Sequence, residues 1–211
     1  KNLLTDLNEY DGGSVQVRMI TFANGVQGTA TFSISSDTDL ADAFSFLDSL
    51  TANGLTNYES PLQDAISWLE SSEPIENAFT TTYFISDGAP NRSTDDATGE
   101  SFNPDTDSQL LGELMGEDGS DEISLIKALS DDVIGVGINI GDEGLSVLDL
   151  IDSDGNALNV IDPQDLDAEL QELSPLRKLA SLGDDVIEGG DGDDLIFGDS
   201  INTDQLALDM D

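Results

Sequence analysis

Two apolar runs set the limits on what this chain can become. Thr81–Ile85 and "DVIGVGINI" (Asp132–Ile140) carry no charge beyond Asp132 and are dominated by β-branched, aromatic and apolar residues, so they suit a largely buried sheet. Runs of this length and character read as buried strands. Between and around them lie segments with apolar residues at helical spacing. Asn2–Tyr10 places Leu3, Leu4 and Leu7 on one face. Asp37–Leu50 does the same with Leu40, Ala43, Phe44 and Leu47, and Tyr58–Leu69 with Leu62, Ala65, Ile66 and Leu69. Further helices are expected at Glu122–Leu129, Leu145–Ile151 and Pro163–Leu173, with a short strand at Leu158–Ile161. Strands alternating with helices predict an α/β fold with a mostly parallel, doubly wound sheet. One pair departs from the alternation. Ser14–Phe22 and Thr29–Ile34 flank the turn sequence "ANGVQG", which predicts a hairpin and an antiparallel edge strand. The polar stretch Ala89–Ser120 reads as a long insert.

Charge narrows the function classes. There are 45 Asp and Glu against 6 Lys and Arg, a formal net charge of -39. A compact chain of this charge repels itself, nucleic acid and anionic membrane surfaces. Hard carboxylate oxygens favour Ca²⁺ or Mg²⁺. The absence of His and Cys removes imidazole and thiolate metal sites, disulfides and His-dependent nucleophiles. No apolar run approaches the roughly 18 residues of a membrane span, so no membrane insertion is expected.

After Pro175 the chain changes character, dividing it into a domain at 1–174, a linker at 175–182 and a Gly-Asp segment at 183–211. Gly189, Gly190, Gly192, Asp194 and Ile196 fit a nine-residue pattern, and Gly183, Asp185 and Ile187 hold the register one repeat earlier. Glycines permit the tight turns, and Asp with turn carbonyls binds Ca²⁺ between successive coils. The apolar residue points into a narrow β-roll. Asp185, Asp191, Asp194, Gly189 and Gly192 are therefore candidate Ca²⁺-site residues, with folding of the segment dependent on Ca²⁺. The segment resembles the repeats-in-toxin family of secreted proteins. That resemblance implies type I secretion from a Gram-negative bacterium.

A carboxylate, Asp87, stands at the end of the apolar strand in "YFISDGAPN", and Thr56 stands in the loop before a helix in "GLTNYESPLQDAISWL". Each has a simpler use. Asp before Gly makes a turn, and Thr before a helix makes an N-cap. Taken in order, however, the hairpin, the helices, the Thr loop, the Ser-Asp-Gly strand end and "IGVGIN" resemble a von Willebrand factor A domain over Ser14 to about Leu173. The resemblance implies a metal-ion-dependent adhesion site with Thr56 and Asp87 among the ligands of Mg²⁺ or Ca²⁺. It also implies a partner oxygen completing the coordination, supplied by a protein or glycan on a host, cell or biofilm surface. Two departures stand out. Leu55 occupies a position where the family often has Gly. The family's opening Asp-x-Ser-x-Ser motif and central first strand have no counterpart, so the segment is expected to be part of a larger domain. The insert's Asp95, Asp96, Glu100, Asp105 and Asp107 could line the rim of the same edge. "DSDGN" (Asp152–Asn156) reads as a turn, because Pro163 stands where an EF-hand needs its bidentate Glu.

The two resemblances together imply a secreted or cell-surface bacterial adhesin module that catalyses no reaction. The alternative is a non-catalytic part of a secreted Ca²⁺-binding protease or lipase. Neither His-Glu-x-x-His nor Gly-x-Ser-x-Gly occurs in the sequence.

Overall fold

The apolar runs form the centre of the fold. In the computed structural model, which describes residues 1–34, 36–51, 54–94, 101–102, 107–116 and 121–176, three strands make a parallel sheet. These are β3 (Thr81–Ser86), β6 (Asp132–Ile138) and β7 (Leu158–Val160), in the order β3-β6-β7. β6 lies in the middle, and Val133 to Gly137 are all buried. Tyr83 pairs with Ile134, and Val136 with Leu158.

Helices cover both faces because β6 is apolar on both. On one face α3 (Glu59–Leu69), α5 (Glu122–Leu129) and α6 (Asp142–Ile151) bury Leu62, Ile126 and Leu148 against Phe84 and Val133. On the other, α7 (Leu166–Glu172) sets Leu166 and Leu170 against Tyr83, Ile85 and Val136. Each fully buried Leu or Ile of this kind contributes roughly 1.5–3 kcal/mol. The architecture is a parallel α/β, Rossmann-like one, which places loops at the strand ends where such folds carry their sites.

The hairpin forms as the turn sequence predicts, from β1 (Val15–Phe22) and β2 (Val26–Ile34), with Val17 opposite Phe32. α1 (Asn2–Asn8) and α2 (Asp37–Asp48) cover it through Leu4, Ala43, Phe44 and Leu47. Its relation to the parallel sheet differs from the expectation of one sheet with an antiparallel edge. β1 and β2 form a separate two-stranded sheet, and β1 makes no ladder with β3. The two units are joined by side chains instead. The Phe22 and Phe84 rings meet at 5.4 Å, and Arg18 donates to Asp64 of α3 at 2.9 Å.

The insert is also more structured than its polarity suggests. β4 (Ser93–Thr94) pairs with β5 (Ser101–Phe102), and α4 (Asp107–Leu114) buries Leu110 and Leu114 in the main core. Two leucines four residues apart in "SQLLGELM" supply that face. β4 is held to the core by a buried polar bridge. The Thr94 N–H donates to Glu59 Oε2 at 2.8 Å. Gln63 Nε2 donates to both Glu59 Oε1 and Glu122 Oε1, at 3.2 Å each.

"DSDGN" is a turn, as read, with an added role. β7 pairs only with Val136 to Ile138, so β6 would end in bare backbone below it. Asp152 Oδ2 accepts from the Gly135 N–H at 2.9 Å, and Ser153 Oγ accepts from the Val133 N–H at 2.8 Å. The Asp152 side chain also accepts from the Asp154 and Asn156 N–H groups. Burial disfavours the Asp152 charge, but these donors win and hold its carboxyl below the usual carboxylate value.

The expected β-roll at 183–211, with Asp185, Asp191, Asp194, Gly189 and Gly192, lies outside the described residues. So do Asp95, Asp96, Glu100 and Asp105 of the insert.

Candidate metal centre

Three loops meet at the edge where β1 and β3 end. They are Ala23–Gly25 after β1, Gly54–Tyr58 before α3, and Asp87–Arg92 after β3. Asparagines tie them together. Asn24 Oδ1 accepts from the Leu55 N–H at 2.6 Å, and Asn57 donates through its backbone to Ala23 O at 2.8 Å. Gly54 makes the approach possible. Its φ is +91°, and a Cβ there would stand 2.8 Å from Asn24 Oδ1.

Thr56 is gripped on both sides. Its N–H donates to Asn91 Oδ1 at 2.9 Å, and its carbonyl accepts from the Asn91 and Arg92 N–H groups at 2.8 and 3.0 Å. Its hydroxyl does not cap α3. That role falls to Asn57, whose Oδ1 accepts from the Ser60 N–H at 3.0 Å. Asn57 is fully buried, which turns the neighbouring Thr56 side chain toward the loop edge. There Thr56 Oγ1 lies 3.2 Å from where a Cβ on Gly88 would be. The hydroxyl thus packs against the backbone of the residue after Asp87.

Asp87 itself is exposed at the rim. The turn that carries it is anchored from below. Tyr58, fully buried, donates its hydroxyl to Gly88 O at 2.8 Å, and Ser86 Oγ donates to the same carbonyl at 2.9 Å. Burial pushes the Tyr58 phenol up to about 12, the Ser86 hydrogen bond opposes this, and the Asp87 charge adds to it.

The structure brings the Thr56 and Asp87 segments to one edge. Together these segments carry a hydroxyl and a carboxylate, oxygen donors of the hard kind that Mg²⁺ or Ca²⁺ takes. Among the described residues no group of three or more acidic side chains converges on one point. Asn24, Asn57, Asn91 and Tyr58 organise this edge and escaped the reading of the sequence. The signal was present in "ANG" and "APN", where Asn beside Gly or Pro marks a side chain that bonds to turn backbone.

No helix of the described residues is long and apolar enough to cross a membrane. No family model matches the chain, and no curated protein matches it. Among solved structures the fold is similar to that of the pilus adhesin SpaC from Lactobacillus rhamnosus GG, with a TM-score of 0.59 and 13% sequence identity. The likeness covers 82% of this chain and 26% of the adhesin, so the chain spans about a quarter of that protein's length.

Proposed function

We propose that this chain is a surface adhesin module, von Willebrand factor A-like, that binds its partner through a divalent cation held at the edge shared by Thr56 and Asp87. The observation that carries the reading is the seat of the Thr56 hydroxyl. It is released from helix capping by Asn57 and packed against Gly88, beside the exposed Asp87. Mg²⁺ or Ca²⁺ takes these two oxygens, and a carboxylate or hydroxyl oxygen of a protein or glycan fills an open position. The module works by coordination and catalyses nothing. It acts on the bacterial surface or after secretion, with Ca²⁺ folding the repeats around Asp185, Asp191 and Asp194. The similarity in fold to a pilus adhesin supports this class.

The test is calorimetric titration with Mg²⁺ and with Mn²⁺ as a spectroscopic stand-in, on the parent, Asp87→Ala and Thr56→Ala proteins. A site at this edge loses at least tenfold in affinity with Asp87→Ala and less with Thr56→Ala. Unchanged cation affinity in both variants would overturn the site.

A further inference from the structure

The insert that follows Asp87 is stitched to the Thr56 loop twice. Arg92 and Asn57 form an isolated parallel bridge. One stitch is backbone, from the Asn91 and Arg92 N–H groups to Thr56 O. The other lies deeper and is made by side chains. Asn57 Nδ2 donates to Thr94 Oγ1 at 3.0 Å and to Asn24 O at 3.2 Å. Both hydrogens of the Asn57 amide are thereby used, and its Oδ1 accepts from the Ser60 N–H. Asn57, Glu59 and Thr94 are all buried.

Thr94 is held in turn from two helices. Its N–H donates to Glu59 Oε2 at 2.8 Å, and a backbone donor on a carboxylate makes a strong, directional bond. Gln63 Nε2 reaches both Glu59 Oε1 and Glu122 Oε1, so α3 and α5 fix Glu59 jointly. A polar chain therefore runs from α5 through Gln63, Glu59, Thr94 and Asn57 to the Thr56 loop. Buried chains of this kind specify one arrangement while their members are bonded.

The Asn57 amide decides which side chain caps α3. While its Oδ1 faces the Ser60 N–H, the Thr56 hydroxyl is not needed at the helix start. Without Thr94 Oγ1, one buried amide hydrogen of Asn57 loses its acceptor, and the amide gains by turning away. Thr56, one residue earlier, is the next side chain able to cap the first turn. A Thr56 hydroxyl drawn to α3 is withdrawn from the edge it shares with Asp87.

We propose that Thr94 is a positioning residue for the Thr56–Asp87 cation site, acting through Asn57, so that the insert sets the affinity of the site from inside the fold. The proposal rests on the reading of that edge as a cation site.

Mg²⁺ and Mn²⁺ titrations of the full chain compare the parent with Asp87→Ala, Thr94→Val, Thr94→Ser and Val160→Ala, at a temperature where all are folded. Valine keeps the shape of threonine and removes the acceptor, whereas serine keeps the acceptor. Val160 packs in the cluster on the other face of the sheet, so Val160→Ala is the control for lost stability alone. Amide exchange at Ser60 reads the Asn57 cap directly. The expected result is affinity lowered roughly fivefold in Thr94→Val, the weight of about one hydrogen bond, with quicker exchange at Ser60. Thr94→Ser should restore both, and Val160→Ala should melt lower with its cation affinity unchanged. Affinity that falls with Asp87→Ala but not with Thr94→Val would overturn the inference and leave the cation site standing. Affinity indifferent to Asp87→Ala would remove the site itself and the inference with it. An equal loss in Thr94→Val and Val160→Ala, or no rescue by serine, would reduce Thr94 to a packing residue and overturn the inference as well. Thr94→Ala takes the place of the valine variant if that protein does not fold.

Discussion

The fully buried hydroxyl of Tyr58 donates to the carbonyl of Gly88 at 2.8 Å, fixing the turn that carries Asp87 from inside the core. Tyr58→Phe keeps the ring, which packs edge-on against Phe84 at 4.7 Å, and removes the hydroxyl with its bond to Gly88 and its interaction with Ser86. The Ser86 hydroxyl still serves the Gly88 carbonyl, so no acceptor is orphaned. The expected loss is about 1 kcal/mol in urea unfolding at neutral pH. Amide exchange should quicken at Gly88 to Arg92. There is also a pH signature. Burial pushes the folded phenol up to about 12 from its ordinary value of 10.0. A raised folded value means stability is complete below about pH 10 and falls as pH rises toward 12. The Phe variant should lose less stability over that range, and an identical pH profile would contradict the assignment.

Asp152 should matter more than its place in a turn sequence suggests. Asp152→Ala leaves the buried Gly135 N–H without its acceptor, and the expected cost is about 1–3 kcal/mol. Because its folded carboxyl titrates below the ordinary value, its contribution is present above the unfolded value near 3.8 and is lost as pH falls through the folded one. The parent should therefore lose more stability than the variant on acidification below about pH 4. Denaturant midpoints measured from pH 6 downward check this. The exposed Asp154 is a useful contrast, since hydrogen bonding to Asp152 and its negative charge raise the Asp154 carboxyl. Asp154→Asn should not destabilise the protein at neutral pH.

Gly135→Ala tests the packing of β6 against α6. A Cβ at Gly135 would stand 2.9 Å from both Leu148 O and the Ala157 Cβ. A backbone carbonyl cannot swing away as a flexible side chain can. Overpacking of this kind costs typically 1–3 kcal/mol. Gly141→Ala, where a Cβ meets nothing within 4 Å, is the control. Thermal melts of the two variants should separate clearly, with the Gly135 variant lower.

The layered α/β order was legible because its signals are local. "DVIGVGINI" is too apolar for any place but the sheet interior, and β6 is buried from Val133 to Gly137. The hairpin followed from Asn-Gly between two alternating runs, although β2 begins at Val26 and not at Thr29. Long-range arrangements were less legible. Whether β1 ladders with β3 depends on what lies between them, and no periodicity in either strand records that. α4 was hidden because Leu110 and Leu114 sit in an acidic, Gly-containing context that masks their spacing. At the site, Thr56 and Asp87 could be paired only through family resemblance, 31 residues apart in sequence. Their joint seat depends on Asn24 and Asn91, whose hydrogen bonds cross from one loop to another. Such bonds leave no pattern beyond the general preference of Asn for turns.

The remaining prediction concerns cations and the whole chain. With 45 acidic against 6 basic residues, repulsion among carboxylates opposes compaction. Ion pairs join Lys1 to Asp48, the N-terminus to Asp167, and Arg18 to Asp64. Monovalent salt should raise the melting temperature by screening, with most of the gain by about 0.15 M, where the Debye length falls to about 8 Å. Ca²⁺ at millimolar concentration should add a further rise at constant ionic strength, because binding to the folded state stabilises by mass action. Mg²⁺ demands a smaller octahedral shell and should not order the Gly-Asp segment. The two cation effects are separable by position. In amide exchange, Ca²⁺ should protect Gly183 to Asp199, whereas monovalent salt should act across the α/β domain. Replacing Asp185 and Asp194 with Asn should abolish the Ca²⁺-specific protection and leave the salt response intact. Equal protection of 183–199 in chelator would remove the basis for calcium-dependent folding, and a melting temperature indifferent to salt would mean that the acidic surface is no burden on the fold.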